Sequence, residues 1–214
     1  QDYTNLRTVK VDMRESTPEG SIIKWIINES DVQPKKDDFI LTQRPASYTI
    51  IGNEGKITIY AWVMNDRDEI SQFTQFSYAD IILDITQPTG TISINGNADY
   101  TDLREVILTL SAEDSVSGLS KMSFSNDNVA YSEPQDFATT SPWILSEGFG
   151  EKTVYVKFSD KAGNWSDTYF ASIILYSGTN KPPIIRSITP ANYSTFLSGE
   201  IIDVKTIASD PDDN

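Results

Sequence analysis

The 214-residue chain contains no cysteine and no histidine. Without thiols there is no disulfide, no thiolate nucleophile and no thiolate zinc ligand; without imidazole there is no Ser-His-Asp triad. No apolar run approaches the roughly 20 residues that a transmembrane helix requires, so direct membrane insertion is not expected. No basic-then-apolar leader opens the chain, and Gln1 reads as a mature start or an arbitrary cut. Basic residues are scarce, with 17 Lys and Arg against 31 Asp and Glu, for a net charge of −14. Such a field repels phosphate backbones and anionic lipid and attracts divalent cations. A nucleic-acid partner is therefore not expected.

Apolar residues make up 38% of the chain, enough to build a core. The sequence repeats itself. Gln1-Asp-Tyr-Thr-Asn-Leu-Arg7 returns 97 positions on as Ala98-Asp-Tyr-Thr-Asp-Leu-Arg104, and Gly55-Lys-Ile-Thr-Ile-Tyr60 returns 95 positions on as Gly150-Glu-Lys-Thr-Val-Tyr155. Apolar residues alternate with polar ones at Val154, Val156 and Phe158, at Ile59, Ala61 and Val63, and at Val106, Leu108 and Leu110. That period of two is the signature of half-buried strands. Turn residues punctuate the runs at Ser117-Gly118, Asn126-Asp127-Asn128 and Ala162-Gly163-Asn164, and no stretch carries a helical stripe. The reading is an all-β chain of tandem sandwiches, with one unit over 1–86, a second over 87–178 and the opening strands of a third over 181–214. Pro-bearing segments around Pro88 and Pro182 join them as short, stiff connections. The first unit has no counterpart of the strand at Thr91–Ile94.

Residues 87–176 resemble the bacterial immunoglobulin-like repeat of large secreted and surface proteins. The likeness rests on Pro88-Thr-Gly-Thr-Ile-Ser-Ile-Asn-Gly96, Leu108-Thr-Leu-Ser-Ala-Glu-Asp114, Lys152-Thr-Val-Tyr-Val-Lys-Phe158 and Asp160-Lys-Ala-Gly-Asn-Trp-Ser166. The first unit is similar but looser, with Asp66-Arg-Asp-Glu-Ile-Ser71 in place of Ala-Gly-Asn and Thr17 in place of Asp114. Residues 181–214 look like the opening of a cadherin-like or polycystic-kidney-disease-type module. The resemblance implies immunoglobulin-like, fibronectin type III-like sandwiches in an extracellular or cell-surface setting. It implies no single activity, because such modules serve many parent proteins.

Candidate sites follow from residue chemistry. Asp160 opens a hairpin turn in which its carboxylate can accept backbone N–H groups. The resemblance adds calcium, which related surface modules hold at domain joints with such acids. Asp210, Asp212 and Asn214 form the first half of a D-x-D-x-N calcium loop, or simply an acidic turn. Trp25 is expected in the core. Tyr60 and Trp62 alternate with Ile59, Ala61 and Val63 and are expected to face out, as a sugar-stacking pair or as a cross-strand cover. No spacing of carboxylates or Ser-Lys pairs singles out catalysis, so the chain is not read as an enzyme. Its expected role is a structural or adhesive stalk whose partners are neighbouring modules of the same or adjacent chains, and surface glycans. Two alternatives stay open: a carbohydrate-binding or spacer region of a secreted polysaccharide-degrading enzyme, and a filament subunit sharing strands between chains.

Overall fold

The structure is a computed structural model, and it describes residues 2–13, 21–72, 77–178, 184–189 and 205–209. Among these there is no α-helix, and the one helical turn is of 3-10 type at Lys36–Asp38. The first copy of the repeat contains β1 (Tyr3–Thr4), β2 (Thr8–Lys10), β3 (Ile22–Asn28), β4 (Ser47–Thr49), β5 (Gly55–Asn65) and β6 (Tyr78–Leu83). The second contains β7 (Thr89–Ile94), β8 (Tyr100–Thr101), β9 (Glu105–Glu113), β10 (Leu119–Ser125), β11 (Gln135–Asp136), β12 (Thr140–Ile144), β13 (Gly150–Asp160) and β14 (Tyr169–Leu175). Beyond it, β15 (Ile184–Thr189) and β16 (Lys205–Ser209) pair antiparallel. Of the second of these strands, which the sequence suggests over Ile201–Ile207, residues 201–204 lie outside the described residues, as does the turn expected at Pro190–Asn192.

In the second copy a five-stranded sheet, β11-β10-β13-β14-β8, faces a three-stranded sheet, β12-β9-β7. Alternation does what the sequence predicts: Val154, Val156 and Phe158 are buried, while Tyr155 and Lys157 are half-buried. Ile94, Val106, Leu108, Leu110, Met122, Phe124, Leu145 and Ile173 close the same core. Gly90 in β7 is a packing requirement. A Cβ there would meet the Phe158 ring at 2.5 Å and the Ser111 carbonyl at 2.7 Å.

The first copy reuses this frame. Its sheets are β1-β6-β5-β3 and β2-β4, with no strand in the place of β7 among the described residues. β1 joins β6 in parallel as β8 joins β14. The Ile50 N–H donates to the Arg7 carbonyl as the Leu145 N–H donates to that of Arg104. The difference between the 97- and 95-residue offsets falls in the connection from β3 to β4, which is longer than its counterpart.

The exposure expected for β5 needs correction. Trp25 is buried as expected, yet Trp62 is 1% exposed and Met64 fully buried, while Ile59, Ala61 and Val63 are only half-buried. Alternation is intact, but both faces of the sheet are covered. The β3–β4 connection lays Phe39 over Trp62 and Met64, with Ile26, Tyr60 and Ile70 around them. On the other face the opposing sheet has two strands rather than three among the described residues, and the residues beneath it are partly open.

Candidate functional site

The chemistry-bearing residues converge where the first copy hands over to the second. At the end of β6 the chain leaves through Asp84, which is fully buried. Its own N–H donates to the Thr4 carbonyl, and its Oδ1 accepts the Thr86 N–H at 3.1 Å. Glu54 holds the next residues, accepting the Ile85 N–H at 2.6 Å and the Thr86 hydroxyl at 2.9 Å. The exit strand is thus fixed to the first copy before it reaches Pro88.

Two loops of the second copy meet it. Asp114 ends β9, and its Oδ1 accepts the N–H groups of Ser117 at 3.0 Å and Gly118 at 2.6 Å. Gly118 sits at φ +79°, a backbone conformation that glycine adopts without a Cβ clash. Asp160, 2% exposed, ends β13. Its Oδ1 accepts the N–H groups of Gly163 at 2.7 Å and Asn164 at 2.9 Å, and its Oδ2 accepts the Asn164 amide at 2.7 Å. The turn expected at Asp160 is therefore present.

The same groups span the joint. The Ser117 N–H donates to Asp84 Oδ2 at 2.9 Å, and the Asn164 amide donates to the Asp84 carbonyl at 2.8 Å. Lys161 places its Nζ 5.9 Å from the centre of the Tyr3 ring. Carboxylate oxygens of Asp84, Asp114 and Asp160 lie within 4.8 Å of one another. Three such charges repel strongly when removed from water, so they need compensation. The N–H and amide bonds to these carboxylates supply it.

The structure brings one sequence-named metal candidate, Asp160, together with two acids not named as ligands. Asp114 carries a visible signal, an acid three residues ahead of Ser117-Gly118. Asp84 carries a fainter one. Its counterpart before the next joint is Tyr176, whose N–H also donates to the strand that follows the first turn, at Thr101. Asp210, Asp212 and Asn214, and Thr17 in the first copy, lie outside the described residues. The expected Tyr60–Trp62 sugar platform does not form, because Trp62 is buried under Phe39. Tyr60 instead meets Tyr78 across the strand pair, ring centres 6.0 Å apart.

No family model matches the chain, and no curated protein matches it. Solved structures do. The fibronectin(III)-like modules of Clostridium thermocellum CbhA align at 14% identity and a TM-score of 0.48, over 85% of this chain and 92% of that one. The D00-D0 domain of intimin aligns at 11% identity and 0.33, over 82% and 96%. A tetra-tandem repeat in the extending region of a large adhesion protein aligns at 14% and 0.31, over 67% and 39%. The sandwich architecture itself rests on the sheets described above. No helix among the described residues is long and apolar enough to cross a membrane.

Proposed function

We propose that the chain is a non-catalytic run of extracellular spacer modules that holds other parts of a larger bacterial protein at a fixed separation. Modules at 1–86 and 87–178 and the opening of a third at 181–214 form the run. The supporting observation is the bonded joint, at which Asp84 of the first copy accepts from both joint-facing loops of the second. A spacer needs joints that resist bending more than it needs a binding pocket. Two hydrogen bonds and a proline restrain this one within a few residues. Small-angle scattering is expected to give one narrow distribution of lengths for the chain, and Asp84→Ala is expected to broaden it. A wild-type chain that already scatters as freely jointed units would overturn the reading.

The carboxylate cluster supports a second element of this proposal, a hard cation at the joint. Calcium takes 6–8 oxygen ligands at 2.3–2.6 Å, and three carboxylates from both sides of a joint are a suitable donor class. Asp84, Asp114 and Asp160 would hold it, and it would add a cross-link between the modules. Binding to the folded state alone raises stability by about 2.7 kcal/mol at 100 times the dissociation constant. Excess calcium is then expected to raise the melting temperature, a chelator to lower it, and Asp114→Asn to remove the difference. Identical melting in calcium and chelator would remove the cation from the joint.

A further inference from the structure

The outer face of the larger sheet of the second copy carries an aromatic pair, one ring half-buried and the other exposed. Tyr155 of β13 stands opposite Phe170 of β14, ring centres 6.0 Å apart. Phe170 is 65% exposed. The next outward row is a hydroxyl pair, Thr153 and Ser172, 2.9 Å apart. On the other side Lys157 lies over the Tyr131 ring at 4.7 Å. The first copy repeats the aromatic pair but not the hydroxyl row, since Asp80, ion-paired with Lys56 at 2.8 Å, takes one of its two places. Tyr60 stands opposite Tyr78, and Thr58 stands opposite Asp80 in the next row and donates to it at 2.7 Å. Tyr78 is 42% exposed. The pair thus stays aromatic in both copies, although the neighbouring outward position is Trp62 in one and Lys157 in the other.

A cross-strand aromatic pair stabilises a sheet wherever it occurs, but that role does not require a phenylalanine left mostly in water. Rings lying beside a row of hydroxyls suit a ligand with one apolar C–H face and hydroxyl edges. That is the chemistry of a sugar ring. Charge narrows the choice. A chain of net charge −14 repels polyanions and repels further copies of itself. A repeating polymer also suits a platform presented once per module, because each module then adds a contact. We infer that the Tyr155–Phe170 row, and its counterpart at Tyr60–Tyr78, is a stacking platform for a neutral polysaccharide. This goes beyond the spacer reading and stands or falls separately from it.

The test is affinity electrophoresis of the full chain in native gels containing hydroxyethylcellulose, xyloglucan or galactomannan, with polygalacturonate as the anionic control. At least one neutral polymer is expected to retard the chain, and polygalacturonate is not. Phe170→Ala is expected to weaken retardation about tenfold with only a small fall in melting temperature, since the ring is mostly exposed. Tyr155→Phe, which keeps the ring, is expected to retain most of it. Failure of all three neutral polymers to retard the chain would overturn the inference. So would retardation indifferent to Phe170→Ala, or a dimer in sedimentation that this substitution dissolves, which would assign the face to self-association. None of these outcomes alters the scattering test of the joint.

Discussion

The two copies share a hydrogen-bonded frame and fill it with different chemistry. In the second copy the hairpin after the long central strand is held by the Asp160 carboxylate, which accepts the N–H groups of Gly163 and Asn164. In the first, Asn65 occupies that place. Its Oδ1 accepts the N–H groups of Arg67 and Glu69, and its amide donates to the Glu69 carboxylate at 2.6 Å. Acid and amide have exchanged ends of the turn. Asp68 at φ 63° takes the left-handed conformation that Gly163 takes at φ 98°. Asn and Asp tolerate that region because their short side chains can bond locally. What the frame requires is an oxygen acceptor at the strand end and a residue that accepts positive φ; the charge is free to vary. The charge then decides what else the turn can do. With Asp160 at the strand end, the second copy puts a buried carboxylate against Asp84.

The largest difference lies on the outer face, at one strand position. Trp62 is buried against Phe39 and Met64, whereas its counterpart Lys157 lies over Tyr131. Trp62→Ala should cost about 3–5 kcal/mol in denaturant unfolding, the range for deleting a large buried ring. Lys157→Ala should cost about 1 kcal/mol or less, as for an exposed cation–aromatic contact. Equal losses would show that the β3–β4 connection does not cover the first copy in the way described.

That same position marks the limit of what could be read in advance. Period-two alternation in β5 identifies the strand and its two faces, and Trp25 is correctly assigned to the interior. Alternation says which residues share a face, not whether that face is covered. Cover came from Phe39, more than 20 residues away along the chain in a connection without periodicity. The joint was legible in the same partial way. Local turn chemistry marks Asp160, and its neighbour in the cluster, Asp114, has its own turn signal. Their meeting with Asp84 depends on how one module is seated on the next, which no local pattern encodes.

A smaller effect should separate the two turns. Asp160→Ala removes a buried carboxylate that accepts three hydrogen bonds, and bonds to charged groups are worth about 1.5–3 kcal/mol each. The neighbouring N–H groups can recover water only in part, so a loss of about 2–3 kcal/mol is expected. Asn65→Ala, in an exposed turn, should lose about 1 kcal/mol. The comparison sharpens if calcium is present, because the Asp160 substitution should then lose more while the Asn65 substitution does not change. Matching losses in the two turns would mean that burial at the joint adds nothing.

The smallest expected difference is one of pH. In the first copy the Tyr48 hydroxyl donates to Glu29 Oε1 at 3.1 Å. In the second, the counterpart is the Trp143 indole N–H donating to Asn126 Oδ1 at 2.9 Å. The two pairs occupy the same place in the frame, but only the tyrosine pair carries a proton that can be lost at high pH. Burial first, then the hydrogen bond to Glu29 and the negative charge of that residue, push the Tyr48 hydroxyl up from 10.0 to about 12. A raised folded-state value means that the fold prefers the protonated form. The stabilisation is complete below pH 10.0 and is lost progressively as pH rises toward about 12. Because the side chain is only half-buried, solvent screening keeps this contribution on the order of 1 kcal/mol. The first copy should therefore lose protection in amide hydrogen exchange above pH 10.0 before the second does. Tyr48→Phe should lower its stability at neutral pH by about 1 kcal/mol, the worth of one hydrogen bond, and flatten this alkaline slope. A slope that persists in the phenylalanine variant would place the titrating group elsewhere.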